Sequence, residues 1–224
     1  TTPMKTSWQS LYDEIFACEK CELCRRIHNK VPGQGDIHAR LMFIGEGPGA
    51  DEDMQGLAFV GAAGQLLTKM IAAMGMTREE VYICNIVKCR PPQNRTPFPE
   101  EAAACLPYLR QQVALVRPQV IVLLGATAAK TLLRPDFRIT REHGQWEERK
   151  GVWFLPTYHP AALLRDESKK RDAWHDLQLV MAKLKDLEAQ CKRLSRSARS
   201  FFAPFGRARI KYWSLATAIP IIPR

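Results

Sequence analysis

Short apolar runs alternate with segments of helical periodicity along the first 190 residues of the chain. Four of these runs end at a glycine or a polar residue, as buried strands commonly do; they are 40–44, 81–87, 119–124 and 151–157. Helical spacing of apolar residues is found in 8–17, 64–74, 99–116, 126–133 and 171–190. Strands that alternate with helices indicate a parallel sheet covered on both faces. The pattern therefore predicts an α/β protein with four central strands.

The character of the sequence changes at Cys191. Residues 191–224 contain eight Lys or Arg residues, no acidic residue and no clear periodicity, so we predict a basic, disordered tail there. The alternative is an arm that binds DNA. The net charge of +10 falls mainly on this tail, which leaves 25 basic and 23 acidic residues for the predicted domain 1–190. Net charge is therefore weak evidence that the domain itself binds nucleic acid.

The composition narrows the protein class. No apolar run is long enough to cross a membrane, and the first residues lack the basic and apolar regions of a secretory signal. We therefore expect a cytoplasmic protein without a membrane partner. Seven cysteines in such a protein argue against a disulfide scaffold and favour metal binding or catalysis.

Four cysteines form the candidate metal site. Cys18 and Cys21 form a C-x2-C pair, and Cys89 and Cys105 bracket a proline-rich loop that a packed core would not require. Four thiolates bind either Zn²⁺ or a 4Fe–4S cluster. Zinc sites usually have two close pairs, so the wide spacing of the second pair favours iron–sulfur, although spacing alone leaves both open. Cys24 forms a second, overlapping C-x2-C with Cys21.

The glycine-rich segment GEGPGADED follows the first predicted strand. It fits neither the dinucleotide fingerprint nor the phosphate-binding loop, and its simplest interpretation is a tight turn. Its carboxylates, Glu46, Glu52 and Asp53, would lie at the carboxyl end of a strand, where ligands bind in open α/β sheets. Since carboxylates repel phosphate, this loop is better suited to bind water or a developing cation.

Other candidate residues lie near the ends of predicted strands. An aromatic such as Phe59 is usually a core residue, whereas Asn85 in an apolar strand can donate and accept as recognition of a base edge requires. His159 is either structural or an electrophile. Leu164 beside Arg165 is either a packing residue or a wedge for a base stack.

Taken together, GEGPG-x3-D, FVG-x2-GQLL, YICNIVKCRPPQNR and YHPAALLR closely resemble the iron–sulfur uracil-DNA glycosylases, often called family four. The resemblance covers about residues 15–188. It implies a three-layer αβα sandwich with a central, mainly parallel four-stranded sheet. It also implies a DNA repair hydrolase that flips uracil from single- or double-stranded DNA and cleaves the N-glycosidic bond. We expect a monomeric, monofunctional enzyme that leaves an abasic site.

The resemblance also assigns roles to residues. It implies a structural 4Fe–4S cluster that holds loop 90–99 against DNA, with zinc as the alternative metal. Phe59 would stack on uracil, Asn85 would read its polar edge, and His159 would stabilise charge on O2. The implied sets are Cys18, Cys21, Cys89 and Cys105 for the metal, Gly47, Phe59 and Asn85 for the base, and Arg95, Leu164 and Arg165 for DNA.

The residue that positions the attacking water is not obvious from the resemblance. Other branches of the superfamily have an Asp where this chain has Gly47. Glu46, Glu52 or Asp53 must then help, and we favour Glu52, with Glu46 as a second catalytic carboxylate. Two alternatives to a uracil-specific enzyme remain. One is a glycosylase for another deaminated base such as hypoxanthine, and the other is a catalytically inactive iron–sulfur DNA-binding module.

Overall fold

The computed structural model describes residues 7–201, and side chains among them as far as residue 193. The strands are β1 (Gln34–Gly35), β2 (Leu41–Gly45), β3 (Tyr82–Asn85), β4 (Val120–Leu124), β5 (Glu147–Arg149) and β6 (Val152–Thr157). The helices are α1 (Trp8–Phe16), α2 (Ala50–Gln55), α3 (Ala62–Ala73), α4 (Pro99–Val116), α5 (Ala126–Leu132), α6 (Ile139–Glu142), α7 (Pro160–Arg165) and α8 (Lys170–Phe201). Short 3-10 turns occur at Glu22–Arg26, Arg78–Glu80, Pro92–Asn94 and Glu167–Lys169.

The strands form one sheet in the order β1-β3-β2-β4-β6-β5. The four central strands, β3, β2, β4 and β6, are mutually parallel and correspond to the four predicted from the apolar runs. The predicted number of strands is wrong, because β1 and β5 add an antiparallel strand at each edge. Neither has an apolar run: β1 is two residues long and β5 is Glu-Glu-Arg.

Alternate residues of β2 face two separate apolar cores, one on each side of the sheet. Met42 and Ile44 pack into the core that contains residues of α1, α4 and α5. Leu41 and Phe43 pack into the core that contains residues of α3 and α8. Helices therefore cover both faces of the sheet, and the predicted αβα sandwich is confirmed.

The last helix is longer than its periodicity predicts. α8 continues through the predicted domain boundary at residue 190 as far as Phe201, the last described residue. The rest of the predicted tail, residues 202–224, lies outside the described residues. In the part of the chain that the structure describes, no helix is both long and apolar enough to span a membrane.

Candidate active site

A cavity of about 510 Å³ opens at the carboxyl ends of the four parallel strands. Glu46 follows β2, Asn85 ends β3, Gly125 follows β4 and His159 lies two residues beyond β6. This is the edge at which open α/β sheets bind ligands. Eight of the predicted site residues line the cavity, namely Glu46, Gly47, Glu52, Phe59, Asn85, Arg95, His159 and Arg165.

Phe59 and Asn85 lie against the same glycine. A Cβ atom added to Gly45 would be 2.5 Å from both Asn85 Oδ1 and Phe59 Cζ, so only glycine fits at this position. Phe59 has a φ of 55°, which is unusual for an aromatic residue. Its main chain also packs tightly on α3, since a Cβ at Gly64 would lie 1.9 Å from the Phe59 carbonyl group. The aromatic ring is thus fixed in the cavity wall beside the carboxamide.

Asn85 presents an unsatisfied acceptor. Its side chain is 1 % exposed, and its buried Oδ1 has no hydrogen-bond partner among the described residues. A buried polar atom without a partner costs about 1–3 kcal/mol. Since Asn85 lines the cavity, a ligand with an N–H group could supply the missing donor.

His159 is held as a neutral donor. It is the N-cap residue of α7, and its Nδ1 accepts a hydrogen bond of 3.1 Å from the Ala161 main-chain N–H. An accepting Nδ1 places the ring proton on Nε2. Burial lowers the pKa of His159 to about 4, and the charge of Arg165 acts in the same direction. The imidazole is therefore neutral near pH 7 and can donate through Nε2.

The Glu52 carboxylate connects two loops through hydrogen bonds. Its Oε2 accepts from the Gly49 N–H at 3.1 Å, and its Oε1 accepts from the main-chain N–H groups of Val60 and Gly61, both at 2.9 Å. The carboxylate thus ties the glycine-rich segment to the chain that follows Phe59.

Both carboxylate oxygens of Asp53 also have polar partners within the protein. Its carboxylate is buried and accepts from the His28 main-chain N–H at 2.9 Å and from the Asn29 N–H at 3.2 Å. His28 Nδ1 lies 2.8 Å from the other oxygen. Burial acts to raise the pKa of Asp53, but the bonds from His28 and Asn29 outweigh it and lower the pKa.

Glu46 differs from Glu52 in that it accepts from a side-chain hydroxyl rather than from main-chain N–H groups. It lines the cavity, and its Oε2 accepts a short hydrogen bond from the Thr127 hydroxyl at the start of α5. A carboxylate at position 47 has no space, because a Cβ on Gly47 would lie 2.8 Å from Val87 Cγ2. The geometry therefore favours Glu46 over Glu52 as the residue that orients water.

The four predicted cysteine ligands share one environment. Cys89 and Cys105 are buried, Cys18 and Cys21 are partly buried, and all four pack in or against the core on the α4 side of the sheet. Burial raises the pKa of Cys89 to about 12, and the nearby thiol groups of Cys105, Cys21 and Cys18 add to the effect. All four thiols are free. Cys24 packs against the same core.

Comparison with known proteins gives the family. The family model described as the uracil DNA glycosylase superfamily matches residues 32–178. The chain belongs to this superfamily. It is 43 % identical over 179 residues to a type-4 uracil-DNA glycosylase of Pyrobaculum aerophilum, covering 76 % of this chain and 91 % of that protein.

Two further relatives are also type-4 uracil-DNA glycosylases. The one from Thermotoga maritima is 46 % identical over 162 residues, and the one from Archaeoglobus fulgidus is 47 % identical over 166 residues. Each alignment covers 70 % of this chain and 83 % of the relative. The resemblance to family four that the motifs indicated is therefore confirmed.

Of the three residues predicted to bind DNA, Arg95 and Arg165 line the cavity. Leu164 does not line the cavity; it lies on α7 with 47 % of its surface exposed, next to Arg165. Arg95 donates to both carboxylate oxygens of Glu101 at 2.8 and 2.7 Å. Its guanidinium lies 3.8 Å from the centre of the Phe98 ring. Arg95 is thus held rigidly rather than free to follow a phosphate.

Two residues near the site were not singled out from the sequence. Thr127 bonds to Glu46, and its only sequence signal is that it closely follows the glycine after an apolar run. Lys88 lies within the third motif, but its side chain is only 1 % exposed and does not line the cavity. It is therefore not placed to attack the sugar carbon of a nucleotide in the cavity.

Proposed function

We propose that the protein excises uracil from DNA, leaves an abasic site and acts without a covalent enzyme intermediate. The observation that carries the proposal is the unpaired, buried Oδ1 of Asn85 beside the Phe59 ring. Uracil presents an N–H donor next to a carbonyl acceptor on its polar edge. A fixed carboxamide pairs with both groups, while an aromatic ring supports the face of the base. Type-4 uracil-DNA glycosylases are also the relatives that the chain resembles.

The proposed recognition begins with flipping of the nucleotide into the cavity. N3–H of uracil then donates to Asn85 Oδ1, and the Asn85 amide donates to O4. Cytosine presents the reverse pattern of donor and acceptor on the same edge, so it leaves groups of like character facing each other. Thymine differs only by its 5-methyl group, and we propose that contact of this methyl group with the protein excludes it.

The proposed reaction needs a hydrogen-bond donor for the departing base and a carboxylate that accepts a proton from water. As the C1′–N1 bond breaks, its electron pair moves to uracil, and His159 Nε2–H donates to O2 where negative charge develops. The sugar becomes an oxocarbenium-like cation, which the Glu46 carboxylate stabilises. Glu46 also orients a water molecule toward C1′ and accepts its proton. Uracil leaves as an anion that takes up one proton at N1 from solvent, Glu46 releases the proton that it accepted from water, and the other product is an abasic sugar.

A 4Fe–4S cluster on Cys18, Cys21, Cys89 and Cys105 is part of the proposal. Free thiols that gather in one environment fit its donor set. In the described part of the chain, no group of three or more His, Cys, Asp or Glu side chains is arranged to hold a metal ion. The bound cluster supplies no reaction step and anchors loop 90–99.

The proposed DNA contact extends beyond the cavity. The exposed Leu164 side chain is suited to fill the space that a flipped nucleotide leaves in the base stack, and Arg165 beside it is suited to bind a phosphate. Arg95 contributes through the shape of loop 90–99. We further propose that the domain comprises residues 1–190 and acts as a cytoplasmic monomer.

Oligonucleotides with a single altered base test the activity. Single- and double-stranded substrates that contain uracil, hypoxanthine or thymine are incubated with the protein and then treated with alkali, which cleaves abasic sites. We expect alkali-dependent breaks at uracil alone. Breaks at hypoxanthine would replace the proposal with a broader glycosylase, and binding without breaks would indicate an inactive DNA-binding module. Breaks before alkali treatment would contradict the monofunctional mechanism.

Serine substitutions test the metal site. Cys89→Ser should remove iron and inorganic sulfide from the purified protein and lower its melting temperature, because a ligand is lost. Cys84→Ser is the matched control: this residue is also a buried cysteine, but it lies within β3. We expect its iron content to be unchanged. Stoichiometric zinc without iron would contradict the cluster.

A further inference from the structure

Lys88 is an almost completely buried cation next to the proposed base-reading residue. Its side chain is 1 % exposed. Nζ donates to the Asn85 carbonyl oxygen at 2.7 Å and to Gln112 Oε1 at 2.7 Å. Lysine is rarely buried without partners, because its charged group loses its hydration. Both contacts lie on the protein side of Asn85, since Lys88 does not line the cavity.

The contacts of Lys88 belong to a larger buried network. Gln112 is fully buried on α4, and its Nε2 donates to the Pro32 carbonyl at 2.8 Å and to the Tyr82 hydroxyl at 3.1 Å. The network connects the end of β3 to α4 and to the segment before β1. Buried polar networks in which each member is satisfied favour one arrangement of the chain.

Packing beside Gly45 and Phe59 and the course of its own main chain set the direction of the Asn85 side chain. Since Oδ1 has no partner in the described residues, no hydrogen bond to this oxygen sets the orientation of the carboxamide before a base enters. β3 also ends at Asn85, and the next residue, Ile86, already bonds across to the Gly45 carbonyl at 2.9 Å. The bond from Lys88 holds the Asn85 peptide at the point where the strand ends.

We propose that Lys88 is a positioning residue for base recognition and acts through Asn85. By fixing the Asn85 carbonyl group, Lys88 pre-orients the carboxamide for the polar edge of uracil. This role rests on the proposed function of Asn85. A displacement of about 1 Å in a reacting complex can cost about a hundredfold in rate, so a small rotation of this peptide is sufficient to matter.

A double-mutant cycle tests the role of Lys88. In the full-length protein with wild-type Asn85, Lys88→Met should reduce the single-turnover rate of uracil excision by roughly 10-fold to 100-fold. In the Asn85→Ala background, the same substitution should have little further effect, because the residue through which it acts is missing. Equal reductions in both backgrounds would show that Lys88 has only a general structural role and would overturn the proposal.

Two further variants separate positioning from stability. Leu109→Ala removes a buried side chain from the same helix as Gln112. We expect it to lower the melting temperature while its reduction in rate, if any, is the same in both Asn85 backgrounds. Gln112→Met removes the second partner of Lys88, so its effect on the rate should also depend on the presence of Asn85. This variant serves as the test if Lys88→Met does not fold. Absence of coupling in Gln112→Met would also overturn the proposal.

The test distinguishes this inference from the proposed function. If the wild-type protein produces no abasic sites at uracil, the proposed function itself fails. If the wild-type protein excises uracil and Asn85→Ala impairs it, but either Lys88→Met or Gln112→Met fails to couple to Asn85, only the role of Lys88 fails.

Discussion

Replacement of His159 with alanine should slow uracil excision by on the order of a hundredfold or more, as loss of one oxyanion donor does in other enzymes. We expect a large effect because the proposed role of Nε2–H is to donate to O2 where negative charge develops, and a water molecule in the mutant would lack the same fixed direction. Single-turnover cleavage of a uracil oligonucleotide measures it. His38→Ala is the control, since His38 is exposed and does not line the cavity. A rate close to wild type in His159→Ala would remove this residue from the mechanism.

The same residue predicts how the protein responds to pH. Because the pKa of His159 is lowered to about 4 by burial, protonation of this imidazole should not reduce excision as the pH falls from about 8 to about 6. Since the folded pKa lies below the unfolded value of about 6.5, the stability linked to this group is complete above that value. It is lost as the pH falls toward 4. An NMR titration midpoint near the unfolded value would contradict the assignment.

Replacement of Glu46 with glutamine should lower the excision rate by on the order of a hundredfold or more, because the amide cannot accept a proton from water. The melting temperature should change little, since the bond from Thr127 can be retained by the amide oxygen. Single-turnover kinetics measures the excision rate, and thermal unfolding measures the melting temperature.

Glu52→Gln is the matched comparison, because it changes a neighbouring carboxylate in the same way. Its amide would bring a donor toward main-chain N–H groups of Gly49, Val60 or Gly61. We expect a loss of stability of about 1–3 kcal/mol and a smaller loss of rate in the folded protein. If Glu52→Gln is instead stable but inactive, Glu52 rather than Glu46 is the residue that positions the attacking water, as the sequence first suggested.

The parallel centre of the fold could be predicted because its strands are buried on both faces. All five residues of β2 and all five of β4 are buried, which produces the continuous apolar runs visible in the sequence. The edge strands leave no such signal. β5 consists of charged residues and pairs with β6 through its main chain, so its side chains carry no apolar alternation.

The location of the cavity could also be predicted from the sequence. The hydrogen-bond partners of its carboxylates could not. Sequence places Glu46 and Glu52 after the same strand, at the edge where ligands bind. Only folding brings the N–H groups of Val60 and Gly61 onto Glu52, and these contacts depend on the turn that Phe59 makes at positive φ. Which acid is available for catalysis is thus a property of loop packing.

The two edge strands have a consequence for the behaviour of the protein at high concentration. A sheet edge with free main-chain groups can template pairing with another chain and lead to aggregation. Here one edge offers only two residues, and Gly35 within it lies so close to Val81 that a Cβ would be 1.8 Å from its oxygen. The other edge strand, β5, is three residues long and consists of two glutamates and an arginine, and charged side chains on an edge strand oppose pairing. Both edges of the six-stranded sheet are therefore short, which limits the length over which another chain could pair with them.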